Sequence, residues 1–199
     1  MSRGFNEHEK QFIANSLIEQ GRILFSKFGF QKTSIQEITI SVGIAQGTFY
    51  QFFPSKEALY FAILEKEEEK IKAQFTKIDI FKDNEPKKAI KSILREMIQT
   101  VETNPLIREL YFGDTMDKML KKLPPETLDK HFNNDTNSLL PLIEKAKKEG
   151  IILDEKPEII AGVLRSLFVL TLHQKEIGVA VYQETIERLI DLIVDGLVK

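Results

Sequence analysis

Apolar residues along this chain recur at spacings of three, four and seven, and the alternating β-branched runs that build sheets are missing. Ile13, Leu17, Leu24 and Phe28 form the first such stripe, which predicts an amphipathic helix over residues 7–28 closed by Gly29. The same pattern continues over Glu85–Glu102, Leu106–Lys122, Glu126–Glu149, Pro157–Lys175 and Val179–Val198, punctuated by Asn104-Pro105, Pro124-Pro125, Gly150 and Gly178. The expected fold is all-α, with about nine helices.

Such a chain needs no covalent staple, because 199 residues bury a sufficient core without metals or disulfides. It has no cysteine, which excludes a disulfide framework, a thiolate metal site and a cysteine nucleophile and suits a reducing cytoplasm. The opening MSRGFNEHEKQF is polar and does not read as a secretory signal. No stretch reaches the roughly 18 apolar residues of a membrane span. A cytoplasmic location without membrane attachment is expected. The acidic run from Glu65 to Lys70 reads as a solvated helix face.

The most informative segment lies near the N-terminus. Ser34-Ile35-Gln36-Glu37 fits a capping box, in which a hydroxyl and a carboxylate three residues apart satisfy free backbone amides reciprocally. The helix begun there is interrupted at Gly43, and Ala45 to Phe52 resumes a helical pattern that Pro54 stops. Two short helices around a glycine turn outline a helix-turn-helix. Ser55 then caps a fourth helix, with Glu57 in its first turn, running to about Ile78. Up to Tyr60 there are six basic and five acidic residues, a balance that permits nucleic-acid binding without arguing for it.

Within this segment, Gly43 suits a left-handed turn residue, with Ile38, Ile44 and Phe49 spaced to pack beneath it. Gly47 removes a side chain from the third helix and allows close backbone approach to DNA. Thr48 and Tyr50 offer hydroxyls to phosphate oxygens, which position a protein without reading sequence. Gln46 and Gln51 carry amides able to pair with the N6/N7 edge of adenine in the major groove. Phe49, Phe52 and Phe53 suit a core better than a contact surface.

Phe28-Gly29-Phe30, Thr33-Ser34, Ile35 to Ile38 and the run from Val42 through Pro54-Ser55-Lys56-Glu57-Ala58-Leu59 together resemble the TetR family of transcription regulators over roughly the first 65 residues. The resemblance implies an N-terminal three-helix DNA-binding domain, residues 1–54, followed by a helical ligand-binding and dimerisation domain, residues 55–199. It also implies that Thr33 or Ser34 at the start of the second helix, and Lys56 at the start of the fourth, meet the flanking DNA backbone. Ser34 serves equally well as a pure cap. The sequence departs from the family pattern at Ala45, where a serine commonly caps the recognition helix, and at Thr39 and Val42, where alanines are common.

For the rest of the chain the resemblance implies a homodimer and a cavity for a small-molecule effector. Broad apolar surfaces support the dimer: Ile160, Val163, Leu164, Leu167, Phe168 and Leu170 in one helix, and Ile186, Leu189, Ile190, Ile193 and Leu197 in the last. Leu164, Leu167, Phe168, Leu189, Ile190 and Ile193 are the expected interface, against the alternative that both helices are buried in one monomer. Met97, Val101, Phe112, Met116, Met119 and Leu120 form a flexible apolar group suited to a core or to a pocket for a lipophilic inducer. His173 is a candidate ligand contact and also an ordinary boundary histidine.

The functional expectation is a transcription regulator of double-stranded operator DNA, by family default a repressor released by its effector, with no cofactor and no metal. The rival from the same fold is a ligand-binding or scaffold protein that does not bind DNA. An enzyme is disfavoured: His8, His131 and His173 lie far apart, and there is no glycine-rich phosphate loop, HExxH motif or nucleophile elbow.

Overall fold

The computed structural model describes the backbone of residues 5–75, 85–112, 119, 121–171 and 173–199, and the side chains of these residues except 72, 74–75, 110–112 and 128–138. Ten helices are present among the described residues: α1 (Glu7–Lys32), α2 (Ile35–Val42), α3 (Gln46–Phe49), α4 (Lys56–Phe75), α5 (Pro86–Thr103), α6 (Pro105–Phe112), α7 (Pro125–Lys148), α8 (Pro157–Thr171), α9 (Gln174–Ile177) and α10 (Tyr182–Leu197). The expectation of an all-α fold holds. The only β pairing among these residues is an isolated bridge between Ile152 and Val198. None of these helices is long and apolar enough to cross a membrane.

The chain packs as two compact units, Met1–Lys70 with Asn104–Pro124, and Ile71–Thr103 with Pro125–Lys199. In this division of packing, α4 up to Lys70 and α6 belong with the N-terminal helices.

In the first unit, α1 begins at a capping box. Asn6 Oδ1 accepts from the Glu9 amide and Glu9 Oε2 accepts from the Asn6 amide, both at 2.8 Å. The regular helix is interrupted at Gly29, with φ 80° and ψ 164°, where the sequence predicts its close, and a short second helical stretch then runs to Lys32. Gly21, in the middle of α1, lets α4 approach: a methyl group there would lie 2.9 Å from Ile63 Cδ1 and 3.1 Å from Leu59 Cδ2. Phe25, Phe30 and Tyr60 form an aromatic cluster, with Tyr60 edge-on to both phenylalanines at 5.0 and 5.1 Å. The buried Tyr60 hydroxyl donates to the Leu106 carbonyl at 2.7 Å and ties α4 to α6. Asn104 Oδ1 accepts from the Leu106 and Ile107 amides and so caps α6.

In the second unit, the core is built from α5, α7, α8 and α10, with Leu94, Ile98, Ile143, Ile160, Leu167 and Ile190 among its buried members. The buried Tyr182 hydroxyl donates to Glu102 Oε1 at 2.6 Å, with the Thr171 carbonyl 3.4 Å away. Lys91 bridges Asp191 and Asp195, and Arg95 pairs with Glu187, along the α5–α10 seam. The C-terminus is stitched in place, as Leu153 donates to the Leu197 carbonyl and Lys199 to that of Ile151, each at 2.9 Å.

Candidate DNA-binding face

The geometry of the face is set by α2, its turn and α3. Ser34 caps α2 as expected: its Oγ accepts from the Glu37 amide at 3.2 Å, and Glu37 Oε2 accepts from the Ser34 amide at 2.7 Å. The hydrogen bond from the Ser34 backbone, then that from its hydroxyl, hold the Glu37 carboxyl below the usual carboxylate range, and the charge of Lys56 adds to the effect. Ser34 is exposed, but its one hydroxyl proton is directed at Glu37 Oε2, 2.8 Å away, so a phosphate oxygen would have to take that proton in place of the carboxylate.

Gly43 ends α2 in the left-handed region, φ 79° and ψ 29°, a conformation that costs a side-chain-bearing residue about 1–2 kcal/mol. Its amide reaches the Thr39 and Ile40 carbonyls, and the Ile44 amide also reaches Thr39. Ile38 and Phe49 are fully buried beneath the turn. Thr39 is buried too, and its hydroxyl lies 3.0 Å from both the Ile35 and Gln36 carbonyls. That internal bonding satisfies the polar atom that stands where small alanines are common.

The third helix is shorter than the sequence predicts. It spans Gln46–Phe49, and the amides of Phe52 and Phe53 then converge on the Phe49 carbonyl in a tight turn before Pro54. Ala45 precedes it in extended conformation and provides no side-chain cap, as its methyl group dictates. Gln46, Gly47, Tyr50 and Gln51 are exposed and Thr48 is half-buried. A methyl group built on Gly47 would meet nothing within 4 Å, so no packing inside the chain calls for a glycine there. Tyr50 is 55% exposed while its ring edge rests on Phe49, 5.4 Å between centroids. The structure therefore brings Gln46, Gly47, Thr48, Tyr50 and Gln51 together on one short segment.

Two other candidates turn inward. Thr33 is 2% exposed, and its hydroxyl donates to the Gly29 carbonyl at 2.9 Å, leaving only its backbone for an outside partner. Lys56 Nζ donates to the carbonyls of Phe30 and Thr33 at 2.8 and 2.9 Å. The Thr33 bond is local, to a carbonyl four residues back, whereas the destination of Lys56, 23 and 26 residues away, depends on the folded corner between α1 and α2.

The candidate pocket residues are distributed over both units. Met97 and Val101 are half-buried on α5 in the second unit, whereas Met119 is buried in the first. Phe112 ends α6 with its side chain outside the described set, and Met116 and Leu120 lie outside the described residues. His173 is exposed, with Nδ1 3.8 Å from Glu176 Oε2. Among the described residues no group of three or more His, Asp or Glu is arranged to hold a metal.

The expected dimer set divides by burial. Leu167 and Ile190 are 0% exposed within the chain itself, so they belong to its own core and have no surface left for a partner. Leu164, Phe168, Leu189 and Ile193 pack half-buried against that core. The apolar residues left open on the same helices are Ile159 and Val169 on α8 and Leu192 on α10, the last 61% exposed. Gly162 and Gly196 on these helices have nothing within 4 Å of a built methyl group. Periodicity marks both helices as broadly apolar, and only the packing shows which stripe is already used.

An exposed polar segment on a short second helix, backed by a buried aromatic and set by a left-handed glycine, defines a helix-turn-helix module on a helical body. Residues 17–63 match the profile described as "Bacterial regulatory proteins, tetR family". The TetR-family resemblance therefore holds, and the chain has the fold of TetR-family transcriptional regulators. A TetR-family regulator from Pectobacterium atrosepticum, solved by crystallography, superposes with a TM-score of 0.76 over 98% of this chain and 99% of its own, at 18% identity. SmeT in complex with triclosan superposes with a TM-score of 0.62 over 95% of this chain and 93% of its own, at 15% identity. In sequence, the chain is 27% identical to the nucleoid occlusion factor SlmA of Haemophilus ducreyi over 94 residues, 47% of this chain and 46% of SlmA. That match spans about half the length of its curated relative.

Proposed function

We propose that this protein is a cytoplasmic transcriptional regulator that docks α3 and its following turn in the major groove of operator DNA as a homodimer. The observation that carries the reading is the open segment Gln46–Gln51, with two amides, two hydroxyls and a glycine that nothing inside the chain requires. Gln46 and Gln51 read adenine edges. Thr48, Tyr50 and the capped start of α2 at Ser34 meet phosphates. The second copy packs on the open stripe of α8 and α10 marked by Ile159, Val169 and Leu192, which suits a four-helix interface. Two recognition segments so paired read half-sites about 34–36 Å apart.

The regulator acts as a repressor released by a small apolar effector. SmeT, which shares the fold, was solved with the small molecule triclosan, and this supports ligand responsiveness. Release requires the effector to bind more tightly to the dimer shape that cannot engage DNA, because equal affinity for both shapes shifts nothing.

The test is selection of bound sequences from random duplex DNA by the purified protein, followed by titration of the enriched duplex at two salt concentrations. An enriched palindrome whose affinity falls steeply with salt is the expected result. Salt-sensitive binding without sequence enrichment removes base reading by Gln46 and Gln51. Absence of any binding, with and without cell-extracted small molecules, leaves a ligand-binding protein of this fold.

A further inference from the structure

A cation in the first turn of a helix stands at the positive end of that helix's dipole, where acidic side chains are favoured. Lys56 opens α4 in this position. Its ammonium leaves its own helix and reaches the corner just past the Gly29 break in α1, where the closing carbonyls are open to an outside donor. There it donates to Phe30 at 2.8 Å and Thr33 at 2.9 Å. It also lies 4.3 Å from the centroid of the Phe30 ring, a cation–π contact. Glu37 of the α2 capping box feels its charge.

The partners of Lys56 are themselves fixed. Phe30 is buried and edge-on to Tyr60, one turn further along α4. The Thr33 hydroxyl is bound to Gly29, where α1 breaks. The end of α1 and the start of α4 therefore meet at one nitrogen, directly before the helix-turn-helix begins. Two of the three ammonium protons are directed at carbonyls of the chain, and a carboxylate offsets the charge from the side of α2.

We propose that Lys56 is a positioning residue, not a phosphate ligand: it clamps the α1–α2 corner to α4 and so sets the pose in which α2 and α3 meet DNA. The functional half of this inference rests on the DNA-docking reading above. The clamp itself does not.

The experiment compares wild type, Lys56→Met and Lys56→Arg. Binding to the duplex enriched by the selection is titrated over about 50–200 mM salt, well below the unfolding temperature. Thermal unfolding and amide exchange are followed on the DNA-free proteins. Lys56→Met keeps the apolar stem and removes the donors, and is expected to weaken binding roughly tenfold or more, the equivalent of a lost charged hydrogen bond. The slope of log K against log[salt] stays unchanged, α2 amides exchange faster, and Lys56→Arg restores most of the affinity. A slope lowered by about 0.9 in Lys56→Met identifies a lost phosphate contact and overturns the proposal. Lower stability with unchanged affinity reduces Lys56 to a purely structural role and overturns it as well. Should Lys56→Met fail to fold, Lys56→Gln enters the same comparison. If wild type enriches no duplex, the docking reading falls by itself, and α2 exchange still decides: equal rates in wild type and Lys56→Met sink the clamp.

Discussion

At Ala45 the recognition segment begins without a side-chain acceptor, so its first amides look to the backbone or to water. Ala45→Ser supplies that acceptor at a residue already in extended conformation. It is expected to raise stability by about 1 kcal/mol in chemical denaturation, and a gain of zero would mean the serine hydroxyl points elsewhere. On the open face, Gln46→Ala is expected to relax base preference at one position per half-site, a loss of about 1–3 kcal/mol of discrimination. Tyr50→Phe is expected to weaken binding to every sequence alike, and competition titrations against single-base variants of the duplex separate the two behaviours. These residues were legible in the sequence because a cap, a glycine turn and an exposed amide are local events. Ser34 and Glu37 are three positions apart and declare their bond by spacing alone. Lys56 and Phe30 are not so related: the ammonium crosses to a carbonyl 26 residues away, and only the folded corner shows where it goes.

Among the elements, prolines and glycines did most to make boundaries readable. Pro86, Pro105, Pro125 and Pro157 each open a helix, where a missing amide hydrogen costs nothing and the fixed φ suits the first turn. Two boundaries escaped the pattern. The recognition helix closes after Phe49 because tight-turn bonds converge on its carbonyl ahead of Pro54, and the apolar pattern that runs to Lys175 is divided between α8 and the short α9. Helical residues were compatible with either course, and the backbone bonds chose. The link between α4 and α6 belongs to the same scale, since it depends on one long-range bond from Tyr60 to the Leu106 carbonyl. Tyr60→Phe deletes that bond while keeping the ring in its aromatic cluster. It is expected to destabilise the protein by about 1 kcal/mol, read as a lower midpoint in urea with an unchanged slope.

For the molecule as a whole, the apolar breadth of α8 and α10 was plain from sequence, but breadth does not say which stripe the chain consumes itself. Packing answers this by burying Leu167 and Ile190 and leaving Ile159, Val169 and Leu192 open. Leu192→Glu is therefore expected to leave the monomer folded, to shift sedimentation from dimer to monomer, and to weaken operator binding with it. Leu167→Ala is expected to cost about 2–5 kcal/mol of folding stability through the cavity it leaves. A dimer untouched by Leu192→Glu would move the interface to another face. The two tyrosines buried among the described residues also give the molecule an optical signature. With no tryptophan in the chain, its near-ultraviolet spectrum belongs chiefly to tyrosine, and Tyr60 and Tyr182 sit in separate compact units. Burial first, then the charge of Glu109, raises the Tyr60 hydroxyl above its ordinary value; burial first, then the hydrogen bond to Glu102, does the same for Tyr182. Groups raised in this way contribute stability that is complete below the ordinary tyrosine range and is lost as pH rises toward the folded-state values. Phenolate absorbance in an alkaline titration should therefore lag behind that of free tyrosine and then appear as each unit opens. Tyr50 and Tyr111 also belong to the first unit, so the difference between wild type and Tyr60→Phe, and between wild type and Tyr182→Phe, isolates one buried hydroxyl in each unit against that common background.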